Sequence, residues 1–324
     1  MTRIRQSPGA PASRILGIGS TQPERVVTND ELSTRMDTND QWIRERVGIV
    51  ERRFAGPDET VVSMGVEAGS KAIAASGITP ADVDTVIVAN CTATVPMPNA
   101  AAQVAELVGA KAAGGFDLNA ACAGFCYGLA SASDMVRAGS AERVLVIGSE
   151  KLTDIVDPLD RSTAIIFADA AGAAVVGPSD EPGIGPVAWG TAGDLAETIR
   201  MPNGRHIYQE GQSVFRWATT KIAPIALRAI DLAGLQPSDI DVLIPHQANL
   251  RIVEAIAKKL RQKGAREDMV VADDIVTSGN TSSASIPMAM DHMRAAGRVH
   301  SGDVALLIGF GAGLSYAGQV VICP

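Results

Sequence analysis

The chain has 324 residues, enough for one large or two ordinary domains with a sizeable core. It is 46% hydrophobic, only 4% aromatic and carries 32 glycines, the profile of an Ala/Val/Gly-rich α/β protein and not of a disordered or fibrous one. A formal net charge of −8 argues against wrapping nucleic acid, 4 cysteines are too few for a secreted disulfide framework, and no apolar run approaches bilayer-spanning length. The basic start "MTRIRQSPGAPASR" is followed by no apolar stretch of the signal-peptide kind, so a cytoplasmic chain with free thiols is expected.

Taken in chain order, "TNDQWIRERVGI" at 38–49 opens with Thr38 and Gln41 at capping-box spacing and predicts a helix. Trp42 and Arg46 then share one face. An aromatic plane beside a guanidinium suits a purine and its phosphates, and it suits a plain surface pair equally well. "TVIVA", "RVLVIG", "GAAVVG", "DVLIP" and "VALLIG" are continuous apolar runs, as expected for strands of sheets covered on both faces. Between the first two lies "NAACAGFCYG" at 119–128, which reads as a strand end, a small-residue turn and a helix start. A thiol at Cys122 would feel unsatisfied N–H groups and the positive end of the helix dipole, both favouring the thiolate. The small neighbours Ala120, Ala121, Ala123 and Gly124 would let a substrate carbonyl reach the backbone. A buried structural cysteine is the competing reading, and on position alone the two stand even. Cys126, one turn further on, reads as core lining.

"GPSDEPGIGP" at 177–186 predicts a linker between halves spanning 1–178 and 179–324. The polar segment 196–212 reads as an exposed excursion. "VLIPHQAN" places His246 just past a buried strand, a position that favours function, whereas His206, His292 and His300 read as solvated imidazoles. "NLRIVEAIAKKLRQKG" at 249–264 is an amphipathic helix whose polar face carries Arg251, Lys258, Lys259, Arg261 and Lys263. That face could dock an acidic partner or could simply be solvated. "TSGNTSSAS" at 277–285 offers Asn280, two N–H donors at neutral charge, in what otherwise reads as a Gly/Asn turn. "LIGFGAGLSYAG" at 307–318 runs into a strand and not a helix, so it is no dinucleotide fingerprint; it predicts a tight hairpin whose backbone N–H groups approach a ligand. No His/Cys/Asp/Glu cluster has metal-ligand spacing.

The chain also repeats itself. "GITPADVDTVIVAN" (77–90) and "GLQPSDIDVLIPHQ" (234–247) share Gly, Pro, Asp and Asp in register. "ACAGFCYGLASASDMVRAGSAERVLVIG" (121–148) and "SSASIPMAMDHMRAAGRVHSGDVALLIG" (282–309) share turn, helix, turn and strand, with Ser283 standing where Cys122 stands. Two matches in the same order predict a duplicated α/β unit, hence an α/β/α/β/α body with a pseudo-two-fold.

"AACAGF", "DRSTAIIFADAAGAAVV", "PHQANLRI", "GNTSSASIP" and "GFGAG", in that order, resemble the β-ketoacyl-acyl carrier protein synthase III family, condensing enzymes of thiolase-like fold. The resemblance covers essentially everything after about residue 13. It implies an α/β fold of thiolase-like five-layer type, a triad of Cys122, His246 and Asn280, and an oxyanion hole made by the backbone N–H groups of Cys122 and Ala312. Ala312 stands where the family often has glycine. The resemblance further implies a coenzyme A channel lined by Trp42, Arg46, Arg161, Asn249 and Arg251, and an acyl pocket with Phe310 and, from the partner of a homodimer, Met97. An acidic acyl carrier protein would dock on Arg251, Lys258 and Lys259. The implied reaction joins a short-chain acyl-CoA to malonyl-carrier protein with loss of CO2, with no cofactor and no metal. A priming ketosynthase of a type II polyketide pathway would share these motifs. A thiolase would need a second catalytic cysteine in the last hairpin, where only the penultimate Cys323 stands.

Overall fold

The computed structural model describes residue 4 and residues 7–324, so residues 1–3, 5 and 6 of the basic start lie outside the described residues. The first half runs β1 (Ala12–Thr21), β2 (Val26–Thr28), α1 (Asn29–Ser33), α2 (Asp40–Val47), β3 (Glu51–Arg53), α3 (Val61–Ser76), β4 (Thr85–Ala89), α4 (Ala100–Val108), β5 (Gly114–Leu118), α5 (Gly124–Ala138), β6 (Val144–Lys151) and β7 (Asp169–Ser179). The second runs β8 (Ala188–Thr191), β9 (Ile199–Arg200), β10 (Tyr208–Gln209), α6 (Gly211–Leu232), β11 (Val242–Pro245), α7 (Leu250–Arg261), β12 (Val270–Val271), α8 (Ile275–Ser278), α9 (Ser285–Ala295), β13 (Val304–Gly311) and β14 (Ser315–Ile322).

Two five-stranded mixed sheets result, in the orders β1-β7-β6-β4-β5 and β12-β11-β13-β14-β8. The central strands, such as β4 and β11, are buried along their whole length because each sheet is covered on both faces. Helices α3 and α4 cover the outside of the first sheet, and α6 and α7 the outside of the second. Between the sheets lie α5 and α9, which touch strands of both. The thiolase-like five-layer order is therefore present. Its three cores are distinct: Val86, Val104 and Leu145 on one side, Leu129, Met290 and Leu307 in the middle, Ile222, Ile256 and Leu306 on the other. Each such side chain contributes roughly 1.5–3 kcal/mol of burial. Because α9 of the second half packs on β1 and β7 of the first, the halves share one interior.

The repeat survives in atomic detail. Gly77 and Gly234 end α3 and the turn after α6 with φ of +73° and +72°. Pro80 and Pro237 each start a single helical turn. Asp82 Oδ2 accepts the Thr79 N–H at 2.8 Å, and Asp239 Oδ2 accepts the Gln236 N–H at 2.7 Å. Asp84 and Asp241 carboxylates each accept the backbone N–H that opens a neighbouring strand segment, from Arg143 and Val304. The shared Gly, Pro and two Asp are thus four parts of one turn, built twice.

The second match explains how the halves meet. Ala121 and Ser282 occupy the same register position and are the non-glycine residues held at positive φ among those described, +46° and +51°. Each turn runs into the opposite half's central strand. A Cβ on Gly148 would lie 2.3 Å from Ser283 O, and a Cβ on Gly309 would lie 2.9 Å from Ala123 Cα. Only glycine permits these two backbone approaches. The predicted linker is likewise stapled: Gly183 donates to Ser13 O, Gly185 to Val320 O, and Ile322 to Gly183 O.

One cap differs from its expectation. The N-cap of α2 is Asn39, whose Oδ1 accepts the Trp42 N–H at 2.8 Å, while Thr38 Oγ1 is buried without a partner. Asn caps as well as Thr, and the helix starts one residue later than the capping-box spacing suggested.

Candidate active site

A cavity of about 830 Å³ opens where the two turns and the last hairpin converge. Cys122, His246, Asn280, Phe310 and Ala312 line its floor and walls, and Trp42, Arg46, Arg161, Asn249 and Arg251 line the remainder. Of the residues singled out from sequence, Met97, Lys258 and Lys259 do not line it. Met97 is 83% exposed, on the turn after β4. Lys259 Nζ donates to Thr219 O on α6, which ties its ammonium to the body, whereas Lys258 is exposed.

Cys122 lies in the turn just before α5, partly open to the cavity. The hairpin β13–β14 closes directly over it: a Cβ on Gly311 would lie 2.8 Å from Cys122 N and 3.0 Å from its Sγ. The helix start is as expected, yet it does not set the thiol's acidity. Burial dominates and pushes the Cys122 thiol up to about 12, opposed by the Ser282 hydroxyl and reinforced by the Glu150 carboxylate. Desolvation therefore works against the thiolate that the helix start favours. Cys126 is fully buried in the middle core, its Sγ against Gly309, as a packing residue.

His246 follows β11 and is fixed by its N–H to Ile308 O at 2.8 Å. Its ring meets Phe310 edge-on, centroids 5.3 Å apart. Burial pushes its pKa down to about 3, so the imidazole is neutral at neutral pH. Its Nδ1 lies 2.8 Å from Ser285 Oγ, which also accepts the Gln247 N–H at 3.4 Å. In the tautomer that carries the ring proton on Nε2, Nδ1 accepts from the Ser285 hydroxyl and Nε2 is the donor.

Asn280 is locked by its backbone and its side chain together. Its N–H donates to Ile166 O and its C=O accepts from Ala168 N, both at 2.9 Å. Its Oδ1 accepts the Ser282 N–H at 2.9 Å, which commits the amide's Nδ2 as the free end. Preceding Gly279 has φ +70°, and a Cβ there would strike Ala168 and Arg52 Cβ atoms, both at 2.9 Å. The floor thus presents a thiol, a neutral imidazole and the N–H end of an amide.

At the mouth, the Arg161 guanidinium lies 4.8 Å from the Trp42 ring centroid and Arg46 lies 6.0 Å from it. Arg251 packs over Phe215 at 5.1 Å. Asn249 caps α7, accepting the Arg251 N–H at 3.0 Å, and donates to Arg46 O at 3.2 Å, so it joins two walls of the channel. The segment 196–212 is largely exposed, as expected, but one side of it lines the cavity through Ile199, Met201, Ile207 and Gln212, with Ile207 N–H bonded to Ile155 O.

Three residues that matter here were not singled out from sequence: Cys91, Glu150 and Ser285. Glu150 had a legible signal, since it is a charged residue two positions past the buried apolar run "RVLVIG".

Residues 116–193 match the family described as 3-oxoacyl-[acyl-carrier-protein] synthase III and residues 230–323 its C-terminal part. A β-ketoacyl-[acyl-carrier-protein] synthase III 1 of Streptomyces coelicolor is 48% identical over 346 residues, covering 100% of both chains. The chain belongs to the β-ketoacyl-acyl carrier protein synthase III family. A synthase III of Streptomyces glaucescens is 49% identical over 336 residues, again covering 100% of both chains. Among solved structures, the priming β-ketosynthase of the R1128 polyketide pathway is 44% identical, with TM-score 0.95 over 100% of this chain and 98% of that one. The synthase III of Aquifex aeolicus is 36% identical, with TM-score 0.90 over 96% and 99%. Members of this family are condensing acyltransferases, and Cys122, His246 and Asn280 share one cavity.

Proposed function

We propose that the chain condenses a short-chain acyl-CoA with malonyl-acyl carrier protein, releasing CoA and CO2 and giving the β-ketoacyl-carrier protein that starts type II fatty acid synthesis. The observation that carries this is the convergence of Cys122, His246 and Asn280 on one cavity floor. Cys122 attacks the acyl thioester, and the N–H groups of Cys122 and Ala312 receive the oxyanion; one such donor is worth roughly 3–4 kcal/mol of barrier. Ala312 keeps its N–H, and the hairpin's sharp conformation falls on Gly313 at φ +128°, so alanine is no obstacle. After CoA leaves, malonyl-carrier protein enters. Loss of CO2 puts charge on the thioester oxygen, where His246 Nε2 and Asn280 Nδ2 donate. The carbanion then attacks the acyl-Cys122 carbonyl. The reaction as written draws on no metal and no redox cofactor.

Trp42, Arg46 and Arg161 form the adenine and phosphate end of the channel. A purine entering between Trp42 and Arg161 must lift the guanidinium off the ring. Arg251 and exposed Lys258 present the local positive charge for an acidic carrier protein. A homodimer is supported by β5, an edge strand with Phe116 exposed, beside Val95, Met97 and Leu107 on the neighbouring surface. Met97 would then reach the partner's acyl pocket. The four free cysteines fit a reducing cytoplasm.

A competition among acetyl-, branched- and longer acyl-CoA, scored by β-ketoacyl-carrier protein formed, tests the reading. Product from a short starter is expected; no acyl-enzyme from any CoA thioester would sink it. The R1128 enzyme supports a second reading, priming of a polyketide, which a marked preference for longer starters would favour. Gel filtration at twice the chain mass is expected, and a monomer would refute the dimer.

A further inference from the structure

The mechanism leaves one buried acid unused. Glu150, at the end of β6, is fully buried and does not line the cavity. Its Oε1 accepts from Ser282 Oγ and Ser283 Oγ, both at 2.9 Å. Its Oε2 accepts from Cys91 N at 3.0 Å and Thr92 Oγ1 at 2.8 Å. The acid therefore ties the turn after β4, in the first half, to the "GNTSSAS" turn of the second, which carries Asn280. Ser283 has another acceptor in Ala89 O at 2.9 Å, and its backbone is already pressed on Gly148. For Ser282 the case is different: among the described residues, Glu150 Oε1 is the one oxygen that receives its hydroxyl proton.

Asn280 depends on that hydroxyl in two steps. Its backbone is fixed by Ile166 and Ala168, but among the described residues its amide is oriented by a single bond, in which Oδ1 accepts the Ser282 N–H at 2.9 Å. That N–H points at the amide because Ser282 is held at φ +51°, a costly conformation for serine. An anchor on the Ser282 side chain offsets that cost and fixes where its N–H lies. The duplication supplies a comparison. Asn119 and Ala121 stand where Asn280 and Ser282 stand, and the Ala121 N–H reaches Asn119 Oδ1 at 3.2 Å from φ +46°. That copy has no hydroxyl to anchor. Likewise, Gly311 stands where Glu150 stands. The glycine lets its hairpin close over Cys122, whereas the carboxylate fills the same place in the other half and holds the serines. The anchored copy is the one that bears Asn280.

We propose that Glu150 is a positioning residue for Asn280. By holding the Ser282 hydroxyl it fixes the Ser282 N–H, which turns the Asn280 amide so that Nδ2 faces the oxygen that gains charge as CO2 leaves. Glu150 makes and breaks no bond in the reaction and acts through its neighbour. A mere clamp between the halves would support acylation and decarboxylation alike. A positioning residue for Asn280 supports only the step in which Asn280 donates. Position and charge are separable as well. With glutamine at 150 the Cys91 N–H claims the amide oxygen, and the NH2 group then faces Ser282 Oγ and Ser283 Oγ, which can accept. The bonds to the turn are reversed but kept, and alanine removes them.

The proposal rests on the proposed function, with decarboxylation as the step in which Asn280 donates, so the two half-reactions are read separately. Acylation of Cys122 by acetyl-CoA, followed by mass spectrometry, counts competent sites, and CO2 release from malonyl-carrier protein is expressed per such site. Glu150→Ala and Ser282→Ala are each expected to slow decarboxylation about 100-fold, the scale of a displaced catalytic group, while acylation persists. Glu150→Gln is expected to keep most of the wild-type rate. In an Asn280→Ala background, Glu150→Ala should cost no more than about a further twofold, since two residues that act through one group are not additive. Losses that multiply in the double variant, equal losses in both half-reactions, or a Glu150→Gln as slow as Glu150→Ala would overturn the positioning role. Should Glu150→Ala not fold, Ser282→Ala, alone and in the Asn280→Ala background, decides. A wild type that releases no CO2 from malonyl-carrier protein refutes the proposed function itself, an outcome distinct from all of these.

Discussion

Cys122→Ala is expected to leave no acyl adduct on the chain after incubation with acetyl-CoA and to lower condensation by roughly 10⁴- to 10⁶-fold, the scale on which removal of a covalent nucleophile is felt. The expectation follows from position. Cys122 is the thiol that faces both the cavity and the hairpin, with the Gly311 backbone against its own N–H and Sγ. Cys91 also lines the cavity, but its sulfur lies against the Glu150 carboxylate, which disfavours its thiolate. Cys126→Ala should therefore stay fully acylated and lose only packing, on the order of 1 kcal/mol for a small buried side chain. Peptide mapping after acetyl-CoA treatment checks both at once; an adduct on Cys126 or Cys91 would overturn the assignment.

His246→Ala and Asn280→Ala should separate the half-reactions. Each is expected to lower malonyl decarboxylation by roughly 10²- to 10³-fold while acylation of Cys122 persists. Both side chains donate to one oxygen whose charge appears only as CO2 leaves, so the double variant should lose less than the product of the singles. Since His246 titrates only near about 3, its donor role should stay unchanged as the pH falls from 7 through 5. An acid limb near the ordinary histidine value, or loss of acylation alone, would show that the ring acts as a base and not as a donor.

Local pattern carried much of this. The apolar runs at 85–89, 144–148, 242–245 and 304–309 became central strands because nothing polar interrupts them. His246 was legible because a polar residue directly after a buried strand has few other reasons to be there. The doubled Gly-Pro-Asp-Asp turn announced the duplication, since each residue has one job in that turn. Composition could not show which side of a polar segment turns inward: 196–212 is mostly exposed, yet Ile199, Met201 and Ile207 line the cavity. Thr38 offered a cap that Asn39 supplied instead.

By itself the sequence determined the strands, the helices, the two-fold repeat and the short set of chemical groups, because these depend on neighbours a few residues away. Only the tertiary structure decided that "NAACAGFCYG" and "GNTSSAS" meet across the pseudo-two-fold, each turn held at positive φ and pressed into the other half's glycine. It alone set what surrounds the Cys122 thiol. A helix start is visible in sequence, but the burial and the Glu150 carboxylate that oppose ionisation, and Ser282 that favours it, are brought together from different halves. Acidity is set by what surrounds a group in space, and chain order does not record that.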